Sequence, residues 1–456
     1  MKRTKLSVLC GSAMLGGMVA MTTPAYAAND TMMQLIEIMY KKGTISQDEY
    51  SLLKGAAAAD KEKTEDMQAK VDEKVKDLPT ITTKEKLAIK SSDGNWEWGI
   101  GGRIMADYAI YDNDASNAGV EPALSDGHEI RRARLNMSGK FYDTWGMKLQ
   151  VDFAGNDVSL KDAYIDYSGF DNFKIKVGNF KEPFSLEELT SSKYLTFMER
   201  STPVNAFAPG RNLGIAGYTS FADQVTLSGG VFGDGVESDG GDDGTSYGVT
   251  GRVTFSPIHE AGRVVHLGAA VSQRNTNSDN TVRFRDRFET HVSGTRLVDT
   301  TNLTNTDDVT RFGLEAAGVW DRLSLQGEYI MADVSRKDGS PDVDFDGYYL
   351  TGSFFLTEDT RPYKFGGGSF DKVSPSSTVG KGGIGAWEVG LRYSSVDLSD
   401  GLVDGGDQDI LTLGLNWYAT KNIRFMGNYV TVLDHTGGNF PGAEPAAFQA
   451  RAQVFW

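Results

Sequence analysis

The chain has 456 residues, a formal net charge of −16 and one cysteine. Its length is enough for one large domain or for two or three ordinary ones. The acidic balance argues against non-specific binding to nucleic acid, which depends on basic residues that neutralise phosphates. With one cysteine, the chain can form neither an internal disulfide nor a zinc site built from several cysteines.

Residues 1–27 have the pattern of a secretory signal peptide. Basic residues at positions 2, 3 and 5 precede an apolar stretch, which ends in the small-x-small sequence Ala25-Tyr26-Ala27. We expect cleavage after Ala27, which would also remove Cys10; an uncleaved anchor is the alternative. Because this segment has three basic residues and no acidic ones, the exported chain would carry a net charge of −19 rather than −16.

Residues 28–78 have helical periodicity and are expected to form a periplasmic segment of two helices. Apolar residues of the first helix recur at Met32, Leu35, Ile36 and Met39. The second helix is predicted to begin at Ser46, which has capping-box spacing with Glu49, and to end near Asp77. The thin apolar stripe indicates docking on a partner helix, such as the same segment of a neighbouring subunit in a coiled coil. A solvated linker helix is the alternative.

Residues 79–91 are predicted to be a linker, and from residue 92 onward the periodicity changes to two. In Trp96–Ile110 the even positions are mostly apolar, whereas Arg103 and Asp107 occupy the other face. Similar runs recur until the chain ends on Trp456. They reach the ~9–11 residues that a tilted membrane strand requires, whereas strands of soluble sandwiches commonly have ~5–6.

These strands predict an all-β fold, a transmembrane antiparallel barrel over residues 92–456 in a bacterial outer membrane. In lipid every backbone polar group must be paired, so strands can span only as a closed barrel. If the apolar face meets lipid, the charged face, including Arg103, Arg132 and Arg134, lines a water-filled lumen. We therefore expect a pore rather than a packed core.

The stretch Val282–Arg296 contains a row of arginines at every second position. In an extended chain Arg283, Arg285 and Arg287 would project the same way at intervals of roughly 7 Å. Guanidinium groups stay charged and bind phosphate or carboxylate through paired hydrogen bonds. The row therefore indicates a positive path for anions, and an exposed loop with separately solvated charges is the alternative.

Several blocks of this chain carry a family resemblance: EIRRARLNMSGKFYDTWGMKLQVDFAG, LKDAYIDYSG, IKVGNFKEPFSLEELTSSKYLTFMER, PIHEAGRVVHLG, LTLGLNWYAT and the final strand. Together they resemble the phosphate-selective porin O/P family over most of residues 92–456. The resemblance implies a sixteen-stranded, homotrimeric barrel that is surrounded by outer-membrane lipid and lipopolysaccharide. The last strand, which ends on an aromatic residue, resembles the signal that the barrel-assembly machinery recognises.

The same resemblance assigns candidate anion-binding residues. In phosphate-specific members an arginine ladder leads to a narrow site, and the row Arg283, Arg285 and Arg287 resembles that ladder. Three further arginines match the constriction and the first strand: Arg131, Arg132 and Arg103. Strict alternation would point Arg131 outward, in conflict with this match, unless a bulge or a strand end redirects it.

The chain departs from the phosphate-specific pattern at the site itself. Glu188 stands where the family has a site lysine, while Lys181 and Arg134 stand at tyrosine positions. Near the acidic position of the site stand Lys161 and Asp162. A glutamate would repel phosphate at close range, although Lys181 or Arg134 could supply compensating charge.

We expect the chain to mediate passive diffusion of small inorganic anions, with phosphate or another oxyanion as the suspected cargo. The alternatives are a general or weakly selective diffusion porin, or a barrel-anchored envelope tether that uses the N-terminal helices. Five scattered histidines without an HExxH or GxSxG motif give no indication of an enzyme. We predict no cofactor, no metal and no nucleic-acid partner.

Overall fold

The computed structural model describes residues 23–83, 86–113, 121–236, 246–276 and 279–456. Most of the predicted signal peptide lies outside these ranges, as do residues 237–245. The chain divides into two compact units, an N-terminal helical unit and a larger β unit, which are described separately.

The helical unit contains α1 (Thr23–Lys41) and α2 (Gln47–Val75). The predicted capping box is confirmed, because the Glu49 amide donates to Ser46 Oγ at 3.2 Å and the Ser46 amide donates to Glu49 Oε2 at 2.8 Å. The two helices contact each other through the stacked rings of Tyr40 and Tyr50. Other apolar side chains of this unit stay exposed: Met32, Leu35, Leu52, Met67 and Val71. None of the helices in the described ranges has the length and apolar character needed to cross a bilayer.

Sixteen antiparallel strands form the β unit, and the last pairs with the first, so the sheet closes into a barrel. They are β1 (Trp96–Asp112), β2 (Gly127–Phe141), β3 (Trp145–Asp152), β4 (Ser159–Phe170), β5 (Phe173–Lys181), β6 (Arg211–Phe221), β7 (Val225–Phe232), β8 (Gly248–Glu260), β9 (Arg263–Asn275), β10 (Thr306–Trp320), β11 (Leu323–Arg336), β12 (Val343–Phe355), β13 (Ala386–Asp400), β14 (Val403–Tyr418), β15 (Ile423–Thr436) and β16 (Ala446–Phe455). The expected sixteen-stranded barrel is confirmed.

The chain also contains shorter elements, of which Leu87–Lys90 pairs antiparallel with residues 97–100 at the start of β1. They are the strands Thr80–Thr82, Leu87–Lys90, Arg285–Asp286, Val298–Asp299, Tyr363–Lys364 and Ser369–Phe370, the helices α3 (Leu186–Leu189) and α4 (Thr202–Phe207), and the 3₁₀ turns Ala154–Asn156 and Phe365–Gly367.

The alternation read from the sequence gives the two faces of the wall. Along β1, Ile104 and Tyr108 are exposed on the outer face, while Arg103 and Asp107 are buried on the inner one. In a bilayer the outer face meets lipid, so apolar residues are favoured there, and the polar inner face requires water or polar partners.

The connections at the two ends of the barrel differ in length. Turns such as 171–172 and 321–322 join strands at the end where β1 begins and β16 finishes, while 182–210 and 276–305 lie at the opposite end. Outer-membrane barrels have short periplasmic turns and longer extracellular loops, which assigns the two ends. One long connection, 356–385, breaks the pattern because it lies at the periplasmic end.

Three of these connections fold into the barrel and pack against parts of the inner wall, so the lumen is narrower than the alternation of the strands alone indicates. Phe284 of 276–305 joins a buried cluster with inward-facing residues such as Phe345, and Phe207 of 182–210 belongs to the same cluster. Phe370 of 356–385 packs on inward-facing Val264. The inner wall therefore carries apolar residues where an inserted segment covers them, which alternation alone does not reveal.

Candidate functional site

A cavity of about 450 Å³ lies inside the barrel wall and is strongly basic. Among the described residues that line it, eleven are basic: Arg103, Arg132, Arg134, Arg200, Arg211, Arg252, Lys148, Lys174, Lys176, Lys181 and Lys364. Asp162 is the one acidic residue of that lining. Strands β1 to β8, the loop 182–210 and the connection 356–385 all contribute, so residues distant in sequence meet at one site.

A β-bulge explains how Arg131 and Arg132 share one acidic partner. Met105 of β1 pairs with Arg132 and the next residue pairs with Ile130, so Arg131 is an extra residue in β2. Its guanidinium therefore turns inward and binds Glu199 through two hydrogen bonds of 2.8 and 2.9 Å. Strict alternation, which pointed Arg131 outward, was wrong at this position.

Glu199 gathers three guanidinium groups on the loop 182–210. Besides Arg131, Arg451 of β16 lies 2.7 Å from Glu199 Oε1, and Arg132 lies 3.7 Å from Oε2. Burial alone would raise the pKa of Glu199, but the three cations hold it well below its usual range. Arg131 is thereby neutralised, while Arg132 keeps part of its charge available to the cavity that it lines.

Arg103 and Arg134 are direct neighbours on β1 and β2. Arg134 Nε donates to Asp152 Oδ2 at 2.6 Å, which balances that charge. Arg103 Nη1 donates to the hydroxyl of Ser192 at 2.6 Å and, in the part of the chain that the structure describes, has no ion pair with an acid. Arg103 therefore presents an uncompensated positive charge to the cavity.

Glu188, which stands where the family pattern has a site lysine, lies between two basic side chains. Lys181 Nζ lies 3.0 Å from Glu188 Oε1, and Arg200 Nε lies 2.9 Å from Oε2. Although burial favours the neutral acid, Arg200 and Lys181 lower the pKa of Glu188 to about 2. The glutamate is thus ionised, and the two basic side chains that flank its carboxylate offset its negative charge locally.

Strands β3, β4 and β6, near Lys181 of β5, show the same sharing of one acid by two cations. Asp162 Oδ2 lies 2.6 Å from Lys148 Nζ, and Oδ1 lies 2.8 Å from Arg211 Nε. Lys161 is an extra residue at a bulge between β3 and β4, and it does not line the cavity. The sequence therefore led to Lys161 as a candidate site residue, whereas the neighbouring Asp162 is the one that lines the cavity.

The arginine row lies on the loop 276–305, apart from this cavity. Arg283 and Arg285 are exposed and Arg287 is half-buried, whereas Phe284, which lies between the first two, and Phe288, which follows the third, pack on the inner wall. Along Arg283–Arg287 exposure thus alternates, and the arginines are more exposed than the residues between them. Arg283 is partly neutralised, since its Nε donates to Asp299 Oδ1 at 2.6 Å.

Sequence reasoning missed several of the cavity's basic residues as site residues: Lys148, Lys174, Lys176, Arg200, Arg211, Arg252 and Lys364. Inward alternation on β3, β5, β6 and β8 was the signal available for five of them. Lys364 lies on the inserted connection 356–385, and nothing in its local sequence indicates that this segment enters the barrel. Arg252 Nη2 donates to the Gly368 carbonyl at 2.7 Å, which ties that connection to the wall.

Residues 99–456 match the family model described as phosphate-selective porin O and P. The chain is 30% identical to Porin O of Pseudomonas aeruginosa over 387 residues, which cover 77% of this chain and 86% of that protein. It is 34% identical to an uncharacterised protein of Caulobacter vibrioides over 368 residues, which cover 78% and 72% of the two chains.

A solved structure shows the same fold at low sequence identity. The anion-selective porin from Comamonas acidovorans superimposes with a TM-score of 0.51 and 16% identity, over 79% of this chain and 100% of that one. At this identity the likeness concerns the barrel architecture alone.

Proposed function

This chain belongs to the phosphate-selective porin O and P family and is a porin of the bacterial outer membrane, and from that premise we propose that it carries small inorganic anions by passive diffusion, with phosphate or another oxyanion as preferred cargo. Family and fold are those of a channel and not of an enzyme.

The observation that carries this proposal is the charge of the 450 Å³ cavity, where eleven basic residues and one acid share the described lining. A pore conducts when its groups replace part of the ion's hydration but bind weakly enough to let it leave. Most of the basic residues here are already paired with acidic ones, which weakens their binding of a passing anion. Arg103, which lacks such a partner, and half-compensated Arg132 are proposed to make the strongest contacts with the passing anion.

The remaining candidate residues are assigned to three roles. The exposed row Arg283, Arg285 and Arg287 attracts anions into the lumen, because a local positive surface raises the local concentration of counter-ions. Arg134 and Lys181 line the cavity beside their acidic partners. Arg131 positions Glu199, and Lys161 contributes only to the field of the wall.

Reversal potential in a salt gradient across a planar bilayer tests the proposal. Anion preference is expected, and block of the chloride current by phosphate would identify an oxyanion site. Arg103→Gln should weaken phosphate block, while Lys140→Gln, a change at an exposed lysine paired with Asp143 in a turn, removes the same charge outside the cavity. Cation preference of the natural sequence would reject the proposal, and anion preference without phosphate block would favour a weakly selective porin.

The N-terminal helices are proposed to have a second role, either in assembly of the trimer or in attachment to the envelope. Their exposed apolar side chains fit a coiled coil of neighbouring copies, and the family resemblance implies a homotrimer. Deletion of residues 28–78 separates the roles: loss of trimers with unchanged conductance per pore assigns the helices to assembly. Intact trimers with weaker envelope attachment assign them to a tether.

Export and insertion are proposed to follow the usual route of such barrels, by signal cleavage after Ala27 and the barrel-assembly machinery. Phe448 and Val454 of the last strand and the following Trp456 are exposed, and they are proposed to meet membrane lipid. A short polar tail appended after Trp456 should lower the yield of inserted protein, since it moves the terminal aromatic residue away from the end of the chain.

A further inference from the structure

Lys176 lies on β5, and its ammonium group is surrounded by three aromatic rings that line the same cavity. Its Nζ is 4.6 Å from the ring centre of Tyr164, 4.8 Å from that of Tyr218 and 4.9 Å from that of Phe180. Aromatic faces attract an ammonium group but carry no net charge, so they fix the position of Nζ without cancelling its charge. Phe180 packs in turn on Phe232, with ring centres 5.5 Å apart, which supports this aromatic cage from behind.

The carboxylates closest to this cage are used by other cations. Asp166 pairs with Lys176 in the strand register, yet its carboxylate binds Lys174 at 2.8 Å. Asp162 is shared by Lys148 and Arg211. Within the described ranges, Lys176 therefore forms no ion pair, and the aromatic rings hold its ammonium group at a fixed position with no carboxylate bound to it.

The cavity around Lys176 is larger than an inorganic oxyanion requires. Its volume of about 450 Å³ falls within the range of roughly 300–1,000 Å³ that is usual for pockets holding small organic molecules. Pro183 and Leu189 of the loop 182–210 also line it, so a ligand would meet apolar surface as well as charge. A charged anchor beside apolar surface suits an anion that has an apolar body.

We propose that Lys176 and its aromatic cage bind the carboxylate of a small organic acid whose apolar body rests against Pro183 and Leu189. The cage holds the ammonium in place before the ligand arrives, so less side-chain freedom is lost on binding. Such binding depends on the anion pathway proposed above, because an organic anion reaches the cavity only through a pore that admits anions. It extends the cargo from inorganic oxyanions to organic carboxylates.

Benzoate and acetate separate the two contributions, because they share one carboxylate and differ in the apolar body. In planar bilayers containing the whole protein, benzoate should half-block the chloride current at about one-fifth of the acetate concentration, as one well-placed apolar contact would give. Lys176→Met should bring the two half-blocking concentrations together. Lys148→Met is the matched control: it removes a lysine from the same cavity, while Arg211 still neutralises Asp162.

Tyr218→Leu is a second variant in case Lys176→Met does not insert. It keeps the ammonium but removes one wall of the cage, and it should lower the preference for benzoate about twofold. Equal block by benzoate and acetate in the natural sequence, or a preference that neither variant reduces, overturns the assignment. An anion-selective reversal potential with equal block rejects the Lys176 site alone, whereas a cation-selective one rejects the anion pathway too.

Discussion

The carboxylate of Glu289 is fully buried and lies against the guanidinium of Arg392, with 3.0 Å between Arg392 Nε and Glu289 Oε2. Glu289 belongs to the loop 276–305, and Arg392 is an inward-facing residue of β13. The same guanidinium reaches Glu187 Oε1 at 3.2 Å and the carbonyl of Glu199 at 3.2 Å, both on the loop 182–210. One arginine thus holds two inserted loops to the wall.

Glu289→Gln should destabilise the loop 276–305 and the folded barrel. Breaking a buried ion pair by removing one partner typically costs about 3–5 kcal/mol, and we expect the lower end of that range because Arg392 keeps Glu187 as an acidic partner. The hydroxyls of Ser394 and Thr412, which also bind Glu289, would lose a charged acceptor. We expect a lower unfolding temperature in detergent and larger current fluctuations in bilayers. Glu260→Gln, at the exposed end of β8, should change neither, and an equal effect of the two variants would contradict this role of Glu289.

The packing of the same loop should depend on pH through Asp286. Burial raises the pKa of this carboxyl to about 8, and Asn205 of the loop 182–210 donates a hydrogen bond to it at 3.1 Å. Because the folded pKa lies above the unfolded value of about 4, the stabilisation is complete below pH ~4 and is lost as pH rises through about 8. Nearby Glu289 disfavours ionisation further, while Arg287 favours it.

We therefore expect proteases to cleave the loop 276–305 increasingly fast between pH ~4 and ~9, beyond the change in intrinsic protease rate. Asp286→Asn should remove this increase while keeping an acceptor for Asn205. Asp338→Asn, in the exposed turn 337–342, should retain it. Identical pH profiles for the natural sequence and Asp286→Asn would exclude Asp286 as the titrating group.

Glu188→Gln should increase anion selectivity and decrease stability together. The substitution removes the negative charge between Lys181 and Arg200, so the cavity gains one net positive charge. Both cations then lack their partner in a buried site, at a cost of about 3 kcal/mol or more. Reversal potential and unfolding temperature measure the two effects. Glu188→Lys would place three cations together, and we expect it to insert poorly unless an oxyanion is present; better insertion than Glu188→Gln without one would contradict this reasoning.

Several residues of the wall and of the N-terminal helices show which parts of the structure the sequence could predict. Alternation of apolar and polar residues gave the barrel class and the inner face for Arg103, Arg132 and Arg134, because in-register strands obey a period of two. The capping box at Ser46 was equally local. Arg131 departs from this alternation because a bulge adds one residue to β2. A bulge depends on pairing with another strand, so the local sequence did not predict it.

The rest of the cavity could not be predicted because long-range packing determines it. The partners of Glu188 come from two segments, and Lys364 enters only because the connection 356–385 packs on the inner wall. The aromatic cage of Lys176 combines β4, β5 and β6, whose residues are ordinary alternating positions when each strand is considered alone. The positive charge of the cavity thus arises only when the strands and the inserted segments come together in the closed barrel.

Arg285→Ala should reduce conductance for anions at low ionic strength and have little effect at high ionic strength. Arg285 is exposed on the loop 276–305 and is proposed to act through its field. That field extends about 30 Å at 0.01 M salt and about 3 Å at 1 M salt. Arg283→Ala is the internal control, since Asp299 already offsets its charge, and it should have the smaller effect. Single-channel conductance across this salt range measures both. A loss that persists at 1 M salt would mean that Arg285 contacts the ion directly, and equal losses for the two variants would mean that pairing with Asp299 does not screen Arg283.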